Sequence, residues 1–293
     1  MDNHNYIIDF AIGNLFKNLK PVDNPTGFFI AGQPGSGKSS IVKDILLKNK
    51  NNYLVIDTDS LRKYHPDYNN IMQTNPNNSY ELTISFANKL ADILYKKAIK
   101  EKKNILFDVT FGSGYQWQKD NYIKTLKNNN YKVELAAIAV NPIISTIGIN
   151  YRPENEIKDT PFINARTVPF HKHNEIYQNI EENIEKSIKD KIFNKFHLYG
   201  RNNLKYGSIY INSYNNNLGK VFLRKFKKER LRKLLPLEKK NLNDFFLNTK
   251  KLIIKRTNSK SKDLSSFRDD INYAISFLQK MKNLNSKKVK KNI

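Results

Sequence analysis

Residues 27–40 read GFFIAGQPGSGKSS. An apolar run, 27–31, leads into Gly32, Gln33, Pro34, Gly35, Ser36, Gly37, Lys38 and Ser39, and a helix-like run starts at Ser40. The spacing is G-x-x-x-x-G-K-S/T, the phosphate-binding loop. Its glycines let consecutive backbone N–H groups curl round an anion with no Cβ in the way. The helix that follows points the positive end of its dipole at the same phosphates. In that chemistry Lys38 reaches the β- and γ-phosphates and Ser39 ligates Mg²⁺. A Gly-rich turn without a ligand leaves the Lys-Ser pair unexplained. The stretch therefore predicts a nucleotide site over residues 32–40, with ATP or GTP and Mg²⁺ as cofactors.

A chain of 293 residues buries one large core, or one domain plus an appendage. No run of about 18 apolar residues is present, so no membrane span is expected. The opening MDNHNYIIDF lacks the basic-then-apolar order of a signal peptide. Cysteine is absent, which excludes disulfides and thiol chemistry, and five histidines alone suit structural zinc poorly. A cytoplasmic protein is expected. The net charge of +24 is uneven: residues 1–200 hold 26 Lys/Arg against 21 Asp/Glu, and residues 201–293 hold 25 against 6. The basic end is either a Lys-rich solvated surface or the footprint of an anionic partner.

Outward from the loop, apolar runs and helical periodicities alternate. Helix is expected over 5–20, 38–49, 80–101, 115–129, 142–151 and 174–195, and strand over 27–31, 53–57, 104–108, 132–140 and 196–199, with a short extra strand over 208–212. The Asn- and Pro-rich stretch 66–79 reads as an excursion loop. Alternation of this kind predicts an α/β fold, a P-loop kinase-like parallel sheet wrapped by helices. Beyond about 215 the pattern becomes basic and helical, with a break at Pro236. Phe267, Ile271, Ala274, Leu278 and Met281 follow heptad spacing over only two heptads, which suits a helix docked on its own domain better than a coiled coil. The expected organisation is a kinase domain over 1–214 and a basic helical extension over 215–293 with a disordered end.

In a parallel sheet, functional groups gather at the carboxyl ends of strands. Asp57 and Asp59 end the second strand, and a carboxylate there is suited to orient an acceptor hydroxyl and take its proton. Either one can instead cap the helix that starts near Ser60; Asp59 is the expected base, with Asp57 structural or near Mg²⁺ water. Asp108 ends the third strand in the manner of a Walker-B carboxylate, and Thr110 follows. Asp92 interrupts the stripe Leu90, Ala91, Ile93, Leu94; it is either an exposed helix position or a ligating carboxylate, since burial without a partner is costly. Arg152 and Arg166 flank YRPENEIKDTPFINARTVP, a Pro-rich segment suited to a lid, and Arg forks bind phosphates bidentately.

Over roughly 25–207 these blocks resemble the zeta toxin family of P-loop kinases. The resemblance rests on GQPGSGKS (32–39), IDTD with the following His65-Pro66, DVTFG (108–112), NARTVP around Arg166 and LYGR (198–201), in that order and spacing. It implies a phosphotransferase that phosphorylates the 3′-hydroxyl of the sugar in UDP-N-acetylglucosamine. It also implies a toxin of a toxin–antitoxin pair, whose small helical antitoxin partner covers the nucleotide site. By position, Lys38 and Ser39 match the nucleotide and Mg²⁺ residues and Asp59 the catalytic base. Arg152 and Arg166 match the phosphate-clamping arginines, and Asp92, Asp108 and Thr110 match residues that bind the sugar nucleotide. The chain departs from the family where Asp92 and Asp108 stand for glutamates, and where Gly112 stands for an arginine. Two other readings remain open: a P-loop kinase acting on a polynucleotide end or another small molecule, and a non-catalytic nucleotide-binding protein.

Overall fold

A computed structural model describes residues 3–75, 78–159, 168–200, 205–210, 216–257 and 262–290. Its centre is a six-stranded sheet built from β1 (Thr26–Ala31), β2 (Leu54–Ile56), β3 (Ile105–Asp108), β4 (Lys132–Ile138), β5 (Lys195–Tyr199) and β6 (Lys205–Tyr210) in the order β2-β3-β1-β4-β5-β6. The first five strands are parallel and β6 pairs antiparallel with β5. Parallel strands covered on both faces read as continuous apolar runs, and the two faces divide by the period of two. Phe28, Ile30, Leu106, Ala136 and Ile138 pack with Ile41, Val42 and Ile45 of α2 (Lys38–Lys48). Phe29, Ala31, Phe107, Leu135 and Ala137 face the larger core.

That larger core takes Leu90, Ala91 and Leu94 from α5 (Ser79–Lys100), and Ile176, Ile180 and Ile184 from α9 (Phe170–Lys189). Helix α1 (Asn3–Phe16) adds Ala11. The expected excursion loop contains a helix, α4 (Tyr68–Thr74), following the short α3 (Thr58–Leu61). The expected helix after β3 is broken into α6 (Tyr115–Gln118), a π-helical turn (Lys119–Ile123) and α7 (Lys124–Asn128). Helix α8 (Pro142–Asp159) runs on through Pro153, although an interior proline costs a helix roughly 3 kcal/mol and disfavours helical backbone at the residue before it.

The basic region forms α10 (Asn216–Leu231), α11 (Pro236–Thr257) and α12 (Lys262–Lys290). The division expected at 214/215 falls between β6 and α10, yet Phe222 and Phe226 of α10 lie in the larger core. Arg230 of α10 is 1% exposed. Its guanidinium carbon sits 3.5 Å from the Tyr177 ring centroid, it donates to the Tyr177 carbonyl, and it pairs with Glu181 at 3.4 Å. Helices α11 and α12 pack against α8. Phe267, Ala274 and Leu278 are buried, as a docked helix requires, and α12 continues to Lys290, into the end, 285–293, expected to be disordered. Among the described residues no helix is long and apolar enough to cross a membrane.

Candidate active site

The phosphate-binding loop is the turn between β1 and α2. Gly35 and Gly37 have φ of +74° and +91°, a region that L side chains avoid. Gly37 immediately precedes Lys38, the first residue of α2. The loop also touches α8 backbone to backbone: a Cβ on Gly35 would lie 2.1 Å from the Ser145 carbonyl oxygen, and one on Gly148 would lie 2.5 Å from that of Gly35. Inside the loop, a Cβ on Gly32 would meet Ser36 Oγ at 2.7 Å. Ser36 Oγ is buried without a hydrogen-bond partner among the described residues. Pro34 is partly exposed, and Ser39 and Ser40 are exposed at the start of α2.

Gln33 turns its side chain inward. Its Nε2 donates to Ser145 Oγ at 3.2 Å and to the Val140 carbonyl at 3.4 Å. Ser145 Oγ lies 2.8 Å from Nε2 of His173 on α9. Gln33, Ser145 and His173 are all fully buried. Burial pushes His173 down to about 4, so the imidazole is neutral and the chain of contacts ties the loop to α8 and α9.

The other two strand ends meet this loop. Gly32 N–H donates to the Thr110 carbonyl at 3.3 Å, fastening the segment after β3 to the loop. Asp108, the last residue of β3, has Oδ1 buried without a partner among the described residues. Its pKa is raised, chiefly by burial and further by Asp57, while the charges of Lys38 and Arg152 oppose the rise. Lys38, Asp57, Arg152 and Asp108 therefore share one electrostatic neighbourhood at the strand ends. After β2 the two aspartates divide the work. Asp57 caps α3, accepting from Asp59 N–H at 3.1 Å and from Ser60 Oγ. Asp59 is partly exposed in the first helical turn. Arg62, three residues on and buried, donates to Thr83 Oγ1 at 2.6 Å and Ser79 Oγ at 3.3 Å, which fixes the Asp59 turn against α5.

Asp92 stands apart. Its side chain is 50% exposed and pairs with Lys96 at 2.7 Å. It lines a groove of about 700 Å³ with Asn88, Tyr95, Trp117 and Tyr122, and no residue of the phosphate loop lines that groove. Gly112, where the family pattern has an arginine, is packed on α9: a Cβ there would meet Ile176 Cγ2 at 2.6 Å and the Ile176 carbonyl oxygen at 2.7 Å. Arg166 lies outside the described residues. The sequence did not single out Gln33, Ser145 and His173 as a connected set, and only the Gln within the loop carried any signal.

A parallel sheet in this order, with a glycine loop opening α2 and carboxylates at the neighbouring strand ends, defines a P-loop kinase-like protein. The comparisons agree and narrow the class. The model of the family described as Zeta toxin matches residues 13–209, and the chain belongs to that family. Toxin zeta of Streptococcus pyogenes is 27% identical over 197 residues, 67% of each chain. Toxin PezT of Streptococcus pneumoniae serotype 4 is 30% identical over 188 residues, 64% of this chain and 73% of that one. Among solved structures, one from the PezAT chromosomal toxin–antitoxin system of Streptococcus pneumoniae aligns with a TM-score of 0.72 at 22% identity, over 86% of this chain and 98% of that one. An AvrRxo1-ORF1:-ORF2 structure with ATP aligns with a TM-score of 0.51 at 14% identity, over 85% of this chain and 84% of that one. At these identities the structures speak to the fold alone.

Proposed function

We propose that the protein is a Mg²⁺- and ATP- or GTP-dependent kinase of a sugar nucleotide, with the 3′-hydroxyl of UDP-N-acetylglucosamine as acceptor, acting as a cytoplasmic toxin held by an antitoxin. The observation that carries this reading is the positive-φ glycine loop fastened through Gly32 N–H to the Thr110 carbonyl, next to Asp108, with Lys38, Asp57 and Arg152 within electrostatic reach of that carboxylate. The residues suit a nucleotide: the loop interior has no space for a Cβ, and Ser36 Oγ and Asp108 Oδ1 are buried without partners among the described residues. Mg²⁺ in such sites is held mostly by phosphates and water with one or two protein oxygens, for which Ser39 is suited, and when bound it neutralises phosphate charge. The ATP in the AvrRxo1 structure supports ATP as donor. The PezAT system supports an antitoxin partner.

In this reading Asp59 orients the acceptor hydroxyl and takes its proton. Lys38, Arg152 and Arg166 stabilise the γ-phosphoryl group as charge spreads in the transition state. Asp108 and Thr110 hold the acceptor near the strand ends. Asp92, set apart in the groove with Trp117 and Tyr122, is the least supported of the acceptor residues. One observation favours another acceptor: the closed packing at Gly112 removes the cation the family uses there.

The test incubates the protein with Mg-ATP and UDP-N-acetylglucosamine and follows products by ³¹P NMR. A new sugar phosphomonoester is the expected result. ATP consumed with the sugar nucleotide unchanged would sink this acceptor, and other hydroxyls, polynucleotide ends included, would then be screened.

A further inference from the structure

Two helices beyond the family match, α11 and α12, pack on α8 at the two residues before Arg152. Arg152 is exposed near the middle of α8 and is followed by Pro153. A proline there has no N–H to give to the Ile149 carbonyl and disfavours helical backbone at the residue before it. The turn that presents Arg152 is therefore poorly supported by its own helix and depends on what packs beside it. The two residues before Arg152 supply that contact. Asn150 Nδ2 donates to Thr146 O at 3.0 Å within α8 and to Asp270 Oδ2 of α12 at 3.2 Å. The Tyr151 ring lies 4.9 Å from the Phe245 ring of α11. The two helices are joined to each other by the stacked Phe246 and Phe267 rings, 5.2 Å apart. Helix α12 also reaches α9, through Tyr273 to Phe170 at 5.9 Å and Phe277 to Tyr177 at 5.5 Å.

We propose that α11 and α12 are positioning elements of the phosphoryl-transfer site, with Phe245 and Asp270 holding the turn that aims Arg152. This rests on the reading that Arg152 faces the transferring phosphoryl group. It gives the basic extension a role inside the enzyme, through one aromatic and one acidic side chain.

The full-length protein tests it with two readouts: turnover of Mg-ATP with UDP-N-acetylglucosamine, and affinity for Mg-ADP with aluminium fluoride, a mimic of the transferring group that needs no acceptor. Asp270→Ala is expected to lower kcat about fivefold, the worth of one hydrogen bond, and Phe245→Ala about tenfold, the worth of an aromatic pair and its packing. KM for ATP and affinity for ADP alone stay unchanged, and affinity for the fluoride complex falls in step with kcat. Asp270→Asn keeps an acceptor oxygen for Asn150 and is expected to behave as wild type, which separates positioning from folding. In an Arg152→Ala background, Asp270→Ala is expected to cost nothing further, since coupled groups are not additive.

Equal losses with and without Arg152, or no loss from either α11 or α12 variant while Arg152→Ala is impaired, would overturn the inference. If Arg152→Ala matches wild type in both readouts, the role given to Arg152 falls and the inference with it. If the sugar nucleotide is not phosphorylated but the fluoride complex binds, only the acceptor is wrong, and the affinity comparison decides the inference. If the wild type does not bind the fluoride complex, the kinase reading and the inference fall together.

Discussion

The phosphate loop and the C-terminal helices both rest on α8, but by different means. The loop meets it backbone to backbone at Gly35 and Gly148, where a single methyl group does not fit. Helices α11 and α12 meet it through side chains, Phe245 on Tyr151 and Asp270 on Asn150. The first contact is a rigid seat and tolerates almost no substitution. The second is a hold made of separable pieces, each worth a modest amount. A nucleotide's phosphates need the fixed seat, because every N–H must already point at the anion. An arginine on a long flexible stem needs only its own backbone kept in place.

If the contrast is right, losses should be largest at the loop. Lys38→Ala should weaken Mg-ATP binding and abolish measurable transfer, with the melting temperature within a degree or two of wild type; titration calorimetry and a melt check both. Gly148→Ala should come next. Its Cβ would sit 2.5 Å from the Gly35 carbonyl, and overpacking of this kind costs about 1–3 kcal/mol. Weaker ATP binding should accompany it in the same titration. An unaltered Gly148→Ala protein would mean that the loop has slack, and the contrast would collapse.

His173 sharpens the picture at the rigid side. With its pKa near 4 in the folded state and near 6.5 unfolded, the unfolded chain binds the extra proton between those values. Stability therefore falls as pH drops from about 6.5 to 4, by up to about 1.4 kcal/mol per pH unit. Urea melts across that window should show the slope in the wild type and lose it in His173→Gln. Smallest of all is Asp92→Ala. Its exposed pair with Lys96 is worth about 0–1 kcal/mol, so melts should barely change. A rise in KM for the acceptor with kcat unchanged would mark the groove as its binding place.

The sequence is most legible where one residue dictates backbone. Glycines at Gly35 and Gly37 announce positive φ, and the apolar runs announce buried parallel strands, so the sheet, the loop and Asp108 at the end of β3 fall where spacing puts them, whereas β2 stops at Ile56 and Asp59 lies within α3, which starts at Thr58 rather than near Ser60. Legibility fails where packing overrides local preference. Tyr68–Thr74 has no helical periodicity and is nonetheless helix. The Pro-rich segment from Tyr151 reads as a lid, but its first part, through Asp159, continues α8, on which α11 and α12 pack. Gly112 reads as a lost cation, and the structure adds the reason no side chain fits there, the closeness of Ile176 on α9. The charge of 201–293 drew attention to its lysines, while Phe222, Phe226 and Arg230 are what bind α10 to the core.

The central claim is that the capped turn after β2 presents Asp59 as the base of a phosphoryl transfer. Its most direct test is Asp59→Asn, with Mg-ATP affinity and transfer to UDP-N-acetylglucosamine measured on the same preparation. The account predicts affinity within about twofold of wild type and transfer lower on the order of 10²–10⁴-fold, the range that general base catalysis contributes. Wild-type transfer by Asp59→Asn would contradict it.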